Sequence, residues 1–282
     1  MKPQNKVGKP ENADSLADFF ARIICSRHNQ HVIVRIVGRA GTGKSWLAIE
    51  LGCETAKRVA YYMGGVPEDY YNLAKNLACM SKERIKAIMD NPGEFNILHL
   101  DDLGVPLNAR KFMDEDNIDF NDILQTFRPN HNLVIMTLQA GFLVDKVPRL
   151  LAHYEIEMEQ QNFDRGYSIA KVNEIVYKHK IDQVYFPYIF IDGTKYVRHV
   201  SFSPPKEFTL AYEIERASQL KAIQERKEEV IANPIKLTKT GLLQDTWIRM
   251  EKYGIGVSLA ARLTGVDSAH VSRFLSKNKL TV

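Results

Sequence analysis

Eight consecutive residues carry the clearest chemistry in this 282-residue chain: Gly38, Arg39, Ala40, Gly41, Thr42, Gly43, Lys44 and Ser45. Their order is G-x-x-x-x-G-K-[ST]. The glycines let the backbone turn sharply and approach phosphate oxygens without a Cβ in the way. Successive N–H groups then form an anion nest at a helix N-terminus. Lys44 places a point charge on the β- and γ-phosphates, and Ser45 offers a hydroxyl to Mg2+. A chance glycine turn is the alternative. The β-branched run before the loop and the helix start at Trp46, Leu47, Ala48 and Ile49 after it argue against chance, because this motif requires strand before and helix after. ATP and Mg2+ are the expected ligands.

A second cluster follows about fifty residues later. Ile97, Leu98, His99 and Leu100 lead into Asp101 and Asp102, an apolar strand ending in two carboxylates, and this resembles a Walker B motif. The resemblance gives Asp101 the part of holding Mg2+ through water and Asp102 that of orienting or activating the attacking water. A plain turn at Asp101, Asp102, Leu103 and Gly104 is the alternative. Many relatives have Asp-Glu here, and the shorter Asp102 bears on the hydrolysis rate more than on binding. His99 is expected in the core. Arg128 precedes Pro129, where a helix must stop. It either neutralises transition-state charge in a neighbouring subunit's site or caps its own helix. Arg149, Arg110 and Lys111 are weaker candidates of that kind.

The elements that must position these groups follow from periodicity. Leu16, Phe19, Phe20, Ile23 and Ile24 share one helix face. Residues 32–37 form a β-branched run, broken only by Arg35, that suits a buried parallel strand. The pattern then predicts a helix over 44–58, a short strand over 59–63, helices over 67–78 and 82–91, a strand over 96–101 and a polar loop over 105–116. Phe120, Ile123, Leu124 and Phe127 define a further helix, and 133–138 a further strand. This alternation predicts a mainly parallel α/β sheet flanked by helices over residues 30–160. Residues 167–177 and 185–202 are rich in aromatic and β-branched types, with a hairpin signal at Asp192-Gly193. Residues 206–232 carry five basic and six acidic residues and read as a solvated connecting helix. The expected organisation is an N-terminal tail and helix (1–30), a phosphate-loop core with a β-rich extension (31–204), a charged linker helix (205–235) and a small all-α domain (236–282).

That last segment holds eight basic and three acidic residues, so within a total of +4 the first 235 residues carry a net charge of −1. A basic unit on a near-neutral body is the footprint of a nucleic-acid contact, with a solvated tail as the alternative. Helices are expected over 242–253 and 257–264. After the turn at Gly265, Asp267 or Ser268 caps a third helix running to about Lys277. Val271, Phe274 and Leu275 face inward. The arrangement fits a helix-turn-helix, or a small helical packing or oligomerisation unit. As a DNA reader it would use Ser268, His270, Ser272 and Arg273 at bases, and Lys277 and Lys279 at phosphates of double-stranded DNA.

Composition excludes other classes. Hydrophobic residues make up 45% and charged residues 26%, the globular average. No run approaches the ~18 apolar residues of a membrane span, so no membrane partner is expected. There is no secretory h-region. Cys25, Cys53 and Cys79 form neither a metal spacing nor a disulfide framework. A cytoplasmic protein is expected, in the host cytoplasm if it is viral.

Taken together, the phosphate loop (a full Walker A), the segment from Leu100 to Gly104, and the stretches 112–128 and 149–154 resemble additional-strand P-loop ATPases. They are similar to the FtsK/HerA and zonula-occludens-toxin-like group carried by viruses and plasmids, over roughly residues 30–225. In such ATPases a polar residue ending the strand between the two motifs touches the γ-phosphate and attacking water, which the resemblance carries to Thr137 or Gln139; two ordinary strand-end polar residues are the alternative. The resemblance implies a parallel core, a Mg-ATP site and often a ring acting on DNA, hence a homo-oligomer and a DNA motor or remodeller. Residues 41–45, 47–52 and 101–104 are also similar to IstB/DnaC-type AAA+ loaders. Those predict a helical lid where this chain continues with strands. A nucleotide-switched DNA-binding regulator, or a structural protein that only binds nucleotide, remains the alternative outcome.

Overall fold

The computed structural model describes residues 15–28, 30–104, 120, 124, 130–141, 146–162, 164–178, 180–204, 206–232, 257–258 and 267–278. Residues 1–223 and 224–282 form separate compact units.

In the first unit, α1 (Leu16–Ile24) begins where the Ser15 hydroxyl accepts from the Asp18 N–H. The strand β1 (Val32–Val37) leads through the phosphate loop into α2 (Lys44–Met63). Two one-turn helices follow, α3 (Pro67–Tyr70) and α4 (Leu73–Asn76), then β2 (Leu77–Cys79), α5 (Lys82–Asp90) and β3 (Ile97–Asp101). Next come β4 (Leu133–Leu138), α6 (Lys146–Leu151), β5 (Tyr154–Asn162), β6 (Tyr167–Glu174), β7 (Val176–Lys178) and β8 (Gln183–Tyr185). The hairpin β9 (Ile189–Ile191) and β10 (Thr194–Tyr196) precedes β11 (Arg198–Phe202) and the long helix α7 (Lys206–Ala232).

Seven strands form one sheet in the order β11-β6-β5-β1-β4-β3-β2. From β5 to β2 every pairing is parallel, whereas β6 and β11 add antiparallel pairings at the far edge. The α/β architecture with a mainly parallel sheet and a β-rich extension is therefore present, and the extension continues the same sheet. Alternate residues of β1 feed two apolar layers. Val34 and Ile36 face α1 and α2, and Ile33 joins α5 residues Ile85, Ile88 and Met89 on the opposite face. A strand covered on both faces has no polar side, which explains the continuous apolar runs of β1 and β4. Arg35, the exception, pairs with Glu155 directly across in β5 at 2.7 Å. Burial pushes the Glu155 carboxyl up, against the pull of Arg35.

Three expectations are corrected. Residues 59–63 are helix, not strand: Ala56, Val59 and Ala60 continue the buried face of α2. The helix stops only at Gly64, whose φ of 89° favours glycine and whose N–H reaches the Ala60 carbonyl. Residues 67–78 do not form one helix; they break at Tyr71 and end in β2, which pairs with β3. The segment read as a solvated connecting helix starts as one that buries Tyr212.

In the second unit, α8 (Ser268–Asn278) is capped by Asp267, whose Oδ1 accepts from the Ala269 N–H at 2.7 Å. Val271 and Leu275 are buried, Ser272 and Arg273 exposed. The helix expected over 242–253 and most of 257–264 lie outside the described residues, as do Arg110, Lys111, Arg128 and Lys279.

Candidate nucleotide site

The phosphate loop closes on itself at the end of β1. The Thr42 hydroxyl donates to the Arg39 carbonyl at 2.8 Å, and the Lys44 ammonium donates to the same oxygen at 2.9 Å. Gly41 and Gly43 have φ of 77° and 84°, so a side chain at either would be strained. Gly38 has a different reason. A Cβ there would lie 2.8 Å from the Thr42 hydroxyl and 2.9 Å from the Met158 Cβ of β5. Lys44 is buried, and burial lowers its ammonium against the opposing charges of Asp102 and Asp101.

Parallel pairing in the order β1-β4-β3 delivers the rest of the site to the same end of the sheet. Asp101 ends β3 with no exposure. Its Oδ1 accepts from the Ser45 hydroxyl at 2.9 Å and the Thr137 hydroxyl at 2.7 Å. Its Oδ2 accepts from the Tyr212 hydroxyl at 2.7 Å. Burial opposes the charge on Asp101, but His99, 3.5 Å away, and the Thr137 and Tyr212 hydroxyls hold its pKa well below the usual carboxylate range. Ser45 and Asp101 thus present two hard oxygen donors side by side, the donor chemistry Mg2+ takes. Among the described residues no cluster of three or more His, Cys, Asp or Glu could hold a metal by itself.

Asp102 sits one residue further, with φ of 52°. Its backbone N–H donates to the Thr137 hydroxyl at 2.9 Å, which fixes that conformation. Burial and the Asp101 charge push its carboxyl up, while Lys44 and Arg216 pull the other way. Arg216 lies 4.0 Å from it. Asp102, Lys44, Ser45, Gln139, Tyr212 and Arg216 line a cleft of about 440 Å3 with the phosphate loop.

The structure therefore brings Lys44, Ser45, Asp101, Asp102, Thr137 and Gln139 together. Thr137 is fully buried and braces both acids from behind, while Gln139 lies on the cleft wall. His99 is in the core, bonded to the Tyr71 hydroxyl through Nδ1 at 3.1 Å. Arg149 lies in a different cleft, with Arg35 and Phe186. Ser268, His270, Ser272, Arg273 and Lys277 share α8 in the second unit.

Sequence reasoning missed three residues. Tyr212, Arg216 and Gln219 occupy successive turns on one face of α7. Tyr212 holds Asp101, Arg216 faces Asp102, and the Gln219 carbonyl oxygen accepts from the Cys79 N–H at 2.6 Å. Their spacing of four and three was the available signal, hidden by the charge balance of the helix.

No family model and no curated protein matches the chain. Solved structures do match parts of it. The N-terminal domain of zonular occludens toxin from Neisseria meningitidis is 12% identical over 57% of this chain and 95% of its own, with a TM-score of 0.34. The genome packaging NTPase B204 from Sulfolobus turreted icosahedral virus 2, in complex with AMPPCP, is 10% identical over 58% of this chain and 100% of its own, at 0.34. A KaiC-like protein from Pyrococcus horikoshii OT3 is 14% identical over 59% of this chain and 88% of its own, at 0.32.

Proposed function

We propose that this protein binds ATP with Mg2+, hydrolyses it, and couples turnover to double-stranded DNA as a homo-oligomeric motor or remodeller. The observation that carries the hydrolytic reading is the placement of Asp101, 2.9 Å from Ser45, with Asp102 at the cleft wall beside Lys44. Backbone N–H groups of the loop cradle the phosphates, and Lys44 neutralises charge at the β- and γ-phosphates. Ser45 and Asp101 would hold Mg2+, which supplies Lewis-acid polarisation of the phosphoryl oxygens when bound. Asp102 orients the attacking water and accepts its proton as the new P–O bond forms. The bond from the γ-phosphorus to the β–γ bridging oxygen breaks, giving ADP and phosphate. Arg216 would face the developing charge from within the same chain, and Gln139, on the cleft wall, would touch the γ-phosphate.

The DNA part rests on the basic surplus of residues 236–282 and on α8, where Ser272 and Arg273 are exposed beside buried Val271 and Leu275. Two measurements test the reading. Asp102→Asn should lower single-turnover hydrolysis strongly with nucleotide affinity retained. DNA affinity should fall steeply with salt, and Lys277→Ala, which removes a proposed phosphate contact, should reduce that dependence by a slope of about 1. Unchanged hydrolysis in the first would remove Asp102 from the mechanism, and a salt-independent affinity would remove the DNA contact.

The hydroxyl of Tyr212 on Asp101 favours a second reading. The segment that grips the metal-binding carboxylate is the one leading to the C-terminal unit. In that reading ATP switches assembly on DNA and hydrolysis only resets it.

A further inference from the structure

The phosphate loop divides the sheet. Asp101, Asp102 and Gln139 lie on the β4–β3 side of β1, and the antiparallel extension β5-β6-β11 lies on the other. On that second side is another pocket, of about 270 Å3, lined by Gly43, Trp46, Gln161, Asn162, Tyr167, Ser168 and Phe202 among others. It meets the catalytic cleft at Gly43 and Trp46, which line both. Trp46 and Phe202 are large aromatic side chains left exposed at 36% and 63%. Neither is needed by the core, and Trp46 directly follows the Ser45 of the phosphate loop.

A triphosphate with its γ-phosphate by Lys44, Asp102 and Arg216 could extend past Gly43 and Trp46, the two residues common to both pockets, into this one. We propose that this pocket is the nucleobase subsite: a purine stacks on Trp46, within a wall made by the β5–β6 turn and the end of β11. This rests on the nucleotide-binding reading of the loop and adds to it what the ligand's other end requires. The pocket's chemistry fits a heteroaromatic base. It has three aromatic rings, Trp46, Tyr167 and Phe202, for a flat π-face, with the amides of Gln161 and Asn162 and the hydroxyl of Ser168 for the polar edge. It also gives the antiparallel extension a purpose the parallel core does not supply. Without β6 and β11 the base would meet solvent beyond Trp46.

The test compares Mg-ATP with Mg-tripolyphosphate, which has the phosphates and no base, by isothermal titration on the full chain. Wild type should bind ATP more tightly than tripolyphosphate. Trp46→Ala should weaken ATP by about 10- to 100-fold, the range of lost base–aromatic stacking, and leave tripolyphosphate unchanged. Trp46→Phe should restore most of the difference, and Phe202→Ala should give a smaller loss of the same selective kind. If Trp46→Ala weakens both ligands equally, or neither, the subsite is overturned while the phosphate loop stands. If wild type binds neither ligand, the phosphate-loop reading falls and takes the subsite with it.

Discussion

Replacing Tyr212 by Phe removes one hydroxyl and leaves the ring. That hydroxyl donates to the fully buried Asp101 Oδ2 at 2.7 Å from a ring that is itself buried except where it lines the cleft. Asp101 keeps its Ser45 and Thr137 donors on Oδ1, so the carboxylate is not orphaned but loses one of three neutral hydroxyl donors. Hydrogen bonds to charged groups contribute about 1.5–3 kcal/mol each, so the variant should lose that much stability near neutral pH. The sign with pH follows from the depressed pKa of Asp101. Its stabilisation is fully present above the ordinary carboxylate pKa of about 3.9 and is lost as pH falls through the lower folded value. Removing a donor raises that folded value. The gap between wild type and variant should therefore be constant near neutrality and close in strong acid. Urea unfolding followed by far-UV circular dichroism at a series of pH values measures it. A difference under about 0.5 kcal/mol at neutral pH, within the noise of surface substitutions, would refute the idea that α7 is fastened to the site through this bond.

Other consequences follow from single contacts. Gly52→Ala places a Cβ 2.7 Å from the Tyr71 ring and should cost about 1–3 kcal/mol by overpacking, read from the urea midpoint. Arg35→Met leaves the half-buried Glu155 without its partner and should cost about 1–3 kcal/mol, whereas Arg35→Met with Glu155→Leu should recover most of it; no recovery would mean the pair is not the source. Arg216→Ala should lower kcat by about 100-fold with little change in KM if, as proposed, the guanidinium faces charge that develops only during transfer.

The phosphate loop was readable because its requirements are local: two positive-φ glycines, a strand before it and a helix after it. Asp101 was readable because the apolar run of β3 gives way to two carboxylates at its end, although Asp101 itself stays fully buried. Segment 59–63 misled because Val59, Tyr61 and Tyr62 suit either state, and only the continuing buried face of α2 decides. The strand β2 is three residues long and exists through its pairing with β3, which no local pattern shows. Tyr212, Arg216 and Gln219 escaped for a related reason. Their partners lie more than a hundred residues away in sequence, and charged neighbours gave α7 the composition of a solvated helix. His99 was placed correctly in the core, but its closeness to Asp101 depends on the alternation of side chains along β3.

Phosphate release from Mg-ATP by the full chain, measured with and without double-stranded DNA in wild type and Lys44→Ala, shows whether this site hydrolyses ATP under the control of DNA. Wild type should turn over ATP faster with DNA present, and Lys44→Ala should not turn it over at all. Equal turnover in the two proteins would contradict the site, and wild-type turnover indifferent to DNA would contradict the coupling.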